Sequence, residues 1–111
     1  MKMIVAVIQP FTLNRVTAAL EEITDFPGIT VFDVRGFGRR IDRQGNRINI
    51  LNPYKPKIQI EIVAPDELIE QVVSTIEKHA HTGNHGDGKI IVLPVETVVR
   101  VQTGETDEAA L

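Results

Sequence analysis

The chain alternates between two hydrophobic periods. Met3–Ile8 (MIVAVI) is a continuous β-prone run ended by Gln9-Pro10, and it reads as a buried central strand. Leu13, Val16, Leu20 and Ile23 then recur at helical spacing, with Arg15, Glu21 and Glu22 on other faces and Thr12 placed to cap the segment. Asp25-Phe26-Pro27-Gly28 stops that helix, and Ile29–Arg35 (ITVFDVR) alternates as a second strand. The pattern resumes at Lys57–Val63 (KIQIEIV), where Ile58, Ile60 and Ile62 share one face. Pro65-Asp66-Glu67 opens a second helix whose apolar stripe is Leu68, Ile69, Val72, Val73, Ile76 and Ala80. Lys89–Leu93 (KIIVL) and Glu96–Val101 (ETVVRV) read as further strands, and Thr103–Leu111 as a polar, acidic surface tail.

Two strand-helix-strand units in sequence predict an α+β fold, the ferredoxin-like double βαβ arrangement with an antiparallel sheet and both helices on one face. Met3–Ile8 and Ile90–Leu93 are nevertheless apolar on both faces, as strands covered from two sides would be. A homo-oligomer that covers the open sheet face is the expectation. Between the units, Gly36 to Pro56 holds Gly36, Gly38, Gly45, Asn46, Asn49, Asn52, Pro53 and Pro56 together with Arg39, Arg40, Arg43 and Arg47. Compact domains rarely keep a loop of roughly twenty residues without a functional reason. Its middle, Arg47–Leu51 (RINIL), is suited to form an extended arm on meeting a partner.

A length of 111 residues predicts one domain, 1–111. With four Phe, one Tyr and no Trp, the core must be aliphatic. The formal net charge of −3 argues against general nucleic-acid binding, which needs a basic excess to displace counterions from phosphate. With no cysteine, disulfides, thiolate metal sites and Cys nucleophiles are excluded. Met1–Pro10 does not read as a signal peptide, and no apolar stretch approaches bilayer length, so a cytoplasmic protein is expected.

The strongest local signal is Thr82-Gly83-Asn84-His85-Gly86-Asp87-Gly88-Lys89. Gly83 to Lys89 fits the opening of a P-loop, but Ile90 stands where the magnesium-binding Ser or Thr belongs, and the helix precedes the strand. The physics still holds: glycines let backbone N–H groups converge on an anion, and Lys89 supplies charge. The plainer alternative is a helix-to-strand turn. Gly36-Phe37-Gly38-Arg39-Arg40 is a second candidate, since guanidiniums after a strand-closing glycine suit bidentate phosphate or carboxylate recognition. Arg100, on the last expected strand, is the third basic element. His79, His81 and His85 invite a metal reading. The simpler account is polar residues at a helix C-terminus, where cationic His is favourable. For catalysis, Ser74 is the one serine and lies mid-helix, and no His or Lys is set to pair with Asp87 or Glu61.

The runs IVAVIQPFTLNRVTAALEE, ITVFDVRGFGRR, KIQIEIV and HTGNHGDGKIIVLPVETVVRVQTGETDEAAL resemble the PII signal-transduction proteins over nearly the whole chain apart from the loop. The resemblance implies a homotrimer of ferredoxin-like subunits that is not an enzyme. Adenine nucleotide would lie in the clefts between subunits as effector, and a T-loop, about 38–56, would contact a target such as a membrane transporter or an enzyme. Gly36, Phe37, Gly38 and Arg39 would then surround the phosphates at the T-loop base. Gly86, Asp87, Gly88 and Lys89 would form the phosphate-holding part of a B-loop at about 82–89. Arg100, opening a C-terminal segment 100–111, would add charge, and Val7, Thr30, Glu61 and Val63 would line the adenosine pocket.

The departures from the family pattern are specific. The Tyr-bearing Y-R-G-A-E-Y stretch, uridylylated in some members, has no counterpart in Ile41–Pro56, and Tyr54 lies too near the next strand. Arg40 replaces the glutamine that helps hold Mg and 2-oxoglutarate, Gln9 replaces a lysine, and Gln102 replaces a second strand arginine. Charge-assisted contacts are worth about 1.5–3 kcal/mol each, so these exchanges favour ADP or AMP over ATP, weaken 2-oxoglutarate sensing, and place Arg40 near the bound anion. A trimeric metal-tolerance protein of similar fold is the alternative reading.

Overall fold

The computed structural model describes residues 1–38, 41–49 and 51–111. Four strands form one antiparallel sheet: β1 (Lys2–Ile8), β2 (Thr30–Gly36), β3 (Lys55–Ala64) and β4 (Gly88–Pro94). Their order is β2-β3-β1-β4. The helices α1 (Leu13–Glu21) and α2 (Asp66–Ala80) connect β1 to β2 and β3 to β4. This is the ferredoxin-like arrangement expected from the repeated strand-helix-strand pattern.

Alternation decides which side of each strand is buried. Ile4, Ala6 and Ile8 of β1 and Ile58, Ile60, Ile62 and Ala64 of β3 face the helices, where they meet Val16 and Leu20 of α1 and Ile69, Val72, Ile76 and Ala80 of α2. Each fully buried aliphatic side chain contributes about 1.5–3 kcal/mol of transfer free energy, which is what holds the two layers together. Helix α2 also matches its own dipole, with Asp66 and Glu67 in the first turn and Lys78 and His79 in the last. Thr12 makes no capping bond. Its buried hydroxyl donates instead to the Gln9 carbonyl at 2.7 Å, within a short 3-10 turn, Pro10–Thr12, that precedes α1.

One expectation fails at the C-terminal end. Glu96–Val101 is not a strand; its pairing is reduced to one bridge between Val99 and Thr106. Thr103–Ala109 lies on the surface, as expected, but the segment is tied down. The Asp107 amide donates to the Val98 carbonyl at 2.8 Å, a 3-10 turn forms over Asp107–Ala110, and Ala110 is buried. The alternation of ETVVRV therefore describes apolar surface without a strand partner in this chain: Val99 is 55% and Val101 99% exposed.

Candidate functional site

The loop between α2 and β4 is braced from within by Asp87. Its carboxylate accepts hydrogen bonds from the Thr82 amide (2.7 Å), the Gly83 amide (2.8 Å) and the Thr82 hydroxyl, which in turn accepts from the Asn84 amide at 3.2 Å. His81 Nδ1 stands 4.0 Å away. The Thr82 hydroxyl and amide, then the Gly83 amide and His81, hold the carboxyl below its ordinary range. A carboxylate with its lone pairs committed to its own loop is a poor proton acceptor, so Asp87 shapes the turn rather than offering a base.

Gly88 then enters β4 opposite Ile8 with φ +106°, and a Cβ there would lie 1.6 Å from the Val7 carbonyl oxygen. Only glycine lets the loop join the sheet this closely. Lys89, whose backbone pairs with Val7, is exposed, and its ammonium has no partner among the described residues. Val7, Asp87, Gly88 and Lys89 line part of one cleft of about 390 Å³, together with Glu77 and His81.

Lys57, which the sequence reading did not single out, ties this loop to the base of the long one. Its Nζ donates to the Gly86 carbonyl at 2.6 Å, while its Cγ packs 3.9 Å from where a Gly36 Cβ would stand. Gln9 Nε2 approaches Gly86 equally closely, 3.0 Å from a hypothetical Cβ. The alternation of β3 places Lys57 on the face opposite Ile58, but that pattern does not disclose its partner. Gly36 ends β2, and Phe37 and Gly38 emerge exposed. The Phe37 ring meets Tyr54 edge-on, with centroids 5.1 Å apart and planes at 88°. Arg39 and Arg40 lie outside the described residues.

The remaining candidates sit elsewhere. Thr30 pairs with Glu61 and Glu61 with Val5, and Val63 pairs with Met3, so these positions step away from the Val7–Lys89 rung along the sheet. Arg100 follows Pro94, which pairs with Lys2 at the far end of β1. Lys89 and Pro94 are five residue steps apart along the strand, roughly 17 Å. Arg100 Nη2 donates to the Leu111 backbone oxygen at 2.8 Å. The site residues thus form two groups: Val7, Gly36, Phe37, Gly38 and Gly86–Lys89 at one end, with Thr30, Glu61, Val63 and Arg100 toward the other.

The histidines do not converge. His79 Nδ1 lies 2.9 Å from the Thr75 carbonyl of its own helix, and His85 is exposed. Among the described residues, no group of three or more His, Cys, Asp or Glu side chains comes together to hold a metal. Among the same residues, no helix is long and apolar enough to cross a membrane.

The molecule is elongated, measuring 53 × 24 × 21 Å with a radius of gyration of 16.3 Å, against roughly 13 Å for a compact chain of this length. Inside the long loop between β2 and β3, Ile41 and Arg47 form a bridge around a tight turn. Asp42 Oδ1 accepts from the Gln44 amide (2.9 Å) and the Asn46 amide (2.8 Å), and the Gly45 amide closes on the Asp42 carbonyl at 3.0 Å. The ordered turn therefore lies N-terminal to the Arg47–Leu51 stretch singled out in the sequence.

Comparison with known proteins matches this geometry to a family. The profile of the family described as nitrogen regulatory protein P-II matches residues 1–105. The chain is 45% identical over 107 residues to "Nitrogen regulatory protein P-II" of Azospirillum brasilense, covering 95% of each chain. It is 43% identical over 113 residues to "Nitrogen regulatory protein P-II 1" of Escherichia coli strain K12, and 42% identical to the Klebsiella oxytoca "Nitrogen regulatory protein P-II", covering all of each chain in both cases. With a match of this extent and a ferredoxin-like sheet, the chain belongs to the nitrogen regulatory protein P-II family of signal-transduction regulators.

Proposed function

We propose that this P-II family member is a cytoplasmic homotrimer that binds an adenine nucleotide between subunits and passes the nucleotide state to a target protein through the 38–56 loop. The observation that carries the reading is the Lys57 bond to Gly86. It makes one side chain common to the Gly86–Lys89 turn and the base of the arm. An anion drawn to Lys89 and the nearby backbone amides competes for that corner, so occupancy and arm position are coupled.

Two features support assembly. Arg100 follows Pro94, which lies roughly 17 Å along the sheet from Lys89, too far for the two to meet on one phosphate within one chain, but the far end of a neighbouring subunit can complete the near end of the first. The helix-free sheet face also carries Phe32, Ile91 and Leu93, each about 40% exposed, beside half-buried Val5, Val7 and Val63. A patch of this kind asks for a partner.

The role is regulatory rather than catalytic, since Asp87 is committed to the loop and Ser74 is exposed on α2 with no basic partner among the described residues. The family's Mg- and 2-oxoglutarate-binding glutamine is Arg40 here, so ADP or AMP is favoured and Mg-ATP with 2-oxoglutarate is not. Calorimetry with ADP, AMP and ATP, with and without Mg and 2-oxoglutarate, tests this. ADP or AMP binding should weaken about 10–100-fold in Lys89→Ala, the equivalent of one charge-assisted contact. Tight cooperative binding of Mg-ATP with 2-oxoglutarate, or affinity indifferent to Lys89→Ala, overturns the reading.

A further inference from the structure

Charge is segregated along this chain. Residues 38–56 carry five cations (Arg39, Arg40, Arg43, Arg47 and Lys55) against one carboxylate, Asp42, a net +4 in a chain of net −3. Everything else therefore carries −7. The structure sharpens the imbalance. Asp42 accepts two amides of its own turn, so the arm's one acidic group is spent inward. Arg43 and Arg47 remain exposed with no side-chain partner among the described residues.

The arm is not only basic. Ile41 (49%), Ile48 (41%) and Leu51 (104%) are exposed beside those guanidiniums, an arrangement solvent does not reward. An apolar contact ringed by cations is the complement of an apolar pocket rimmed by carboxylates. The Asp42-held turn fixes the shape of residues 41–47 before any partner arrives, which lowers the ordering cost of docking for that part of the arm.

We infer that the arm docks into a protein groove with an apolar floor and an acidic rim. This rests on the proposed role of the 38–56 loop as the target-contacting element and adds the chemistry of the target. Other occupants fit less well. An anionic bilayer or a nucleic acid would attract the arm but repel a body of −7, and neither offers discrete apolar pockets to Ile41, Ile48 and Leu51. A second copy of the chain supplies carboxylates, but its apolar sheet face is the surface already assigned to the trimer.

The chain's one tyrosine, Tyr54, meets Phe37 edge-on at the arm's base, and with no tryptophan present its emission reports on the arm. The full chain is titrated with a short peptide alternating Glu with Leu, with poly-glutamate of equal length, with phosphatidylglycerol vesicles and with single-stranded RNA. The expected result is peptide binding that is salt-sensitive, about 10-fold or more tighter than poly-glutamate, and weakened at least 10-fold in the Arg43→Glu/Arg47→Glu variant. Equal binding of poly-glutamate, preference for vesicles or RNA, arm-dependent self-association, or no binding at all overturns the inference. ADP titration of the same samples separates the two readings. Peptide binding without ADP binding removes the nucleotide site and leaves the docking chemistry, and the converse result removes the docking chemistry alone.

Discussion

Replacing Gly88 with alanine isolates the constraint that sets the Asp87 loop on the sheet. Two costs are involved. At φ +106° any L-residue is strained, which costs about 1–3 kcal/mol. The new Cβ would also stand 1.6 Å from the Val7 carbonyl oxygen and 2.7 Å from its carbon, both backbone atoms that no rotamer change can move aside. Relief requires β4 to shift off β1, an overpacking cost of about 1–3 kcal/mol more. The sum, about 2–6 kcal/mol, is a large share of the roughly 5–15 kcal/mol that stabilises a domain. Urea unfolding at fixed protein concentration should show the midpoint falling by about 1–3 M for an ordinary denaturant slope. Gly104→Ala supplies the control, because Gly104 has φ +75° with nothing within 4 Å of a Cβ, so it reports strain without collision. If Gly88→Ala proves no less stable than Gly104→Ala, the close approach to Val7 is not what demands glycine at this position.

Two further expectations concern the same loop. Asp87 has a lowered carboxyl pKa, so its brace is complete above the ordinary aspartate range and is lost as pH falls through the lowered value. Exchange protection of the Thr82 and Gly83 amides should hold from pH 7 down through the ordinary aspartate value of about 3.9 and be lost only below it; protection lost already near about pH 5, or protection that survives in Asp87→Asn, would count against the brace. Arg15 Nε donates to the His79 carbonyl at 2.6 Å, at the dipole-negative end of α2 where the loop begins. Arg15→Ala should cost only about 0.5–1 kcal/mol, because the contact is exposed, yet it should speed amide exchange at His81–Gly83, with Arg15→Lys restoring part of the protection. Unchanged exchange would show that the bond does not position the loop.

What the sequence disclosed and what it hid follow from how local each interaction is. The KIQIEIV alternation placed Ile58, Ile60 and Ile62 on the core side of β3, and the Leu68–Ala80 stripe marked the buried side of α2, because burial repeats with the period of the element itself. The Lys57–Gly86 bond spans 29 residues and has no periodic trace, so half of the corner that joins loop to arm was invisible. Glu96–Val101 misled for a related reason. Its alternating valines record a surface to be covered, and the chain that folds them leaves Val101 almost fully exposed. The resemblance carried by Thr82–Ile90 and Arg100–Ala110 found the family, while the commitment of the Asp87 carboxylate to its own loop became visible only in the fold.

The separation of Lys89 from Arg100 along the sheet has a genetic consequence. If each site takes its lysine from one subunit and its arginine from the next, a chain carrying Lys89→Ala and a chain carrying Arg100→Ala are each inactive alone. Mixed, they complement: every ring of three that holds both kinds regains one intact lysine-arginine pair at one of its boundaries. Random assembly of equal amounts would restore about one site in four. Two broken alleles, co-expressed, would then sense what neither senses by itself.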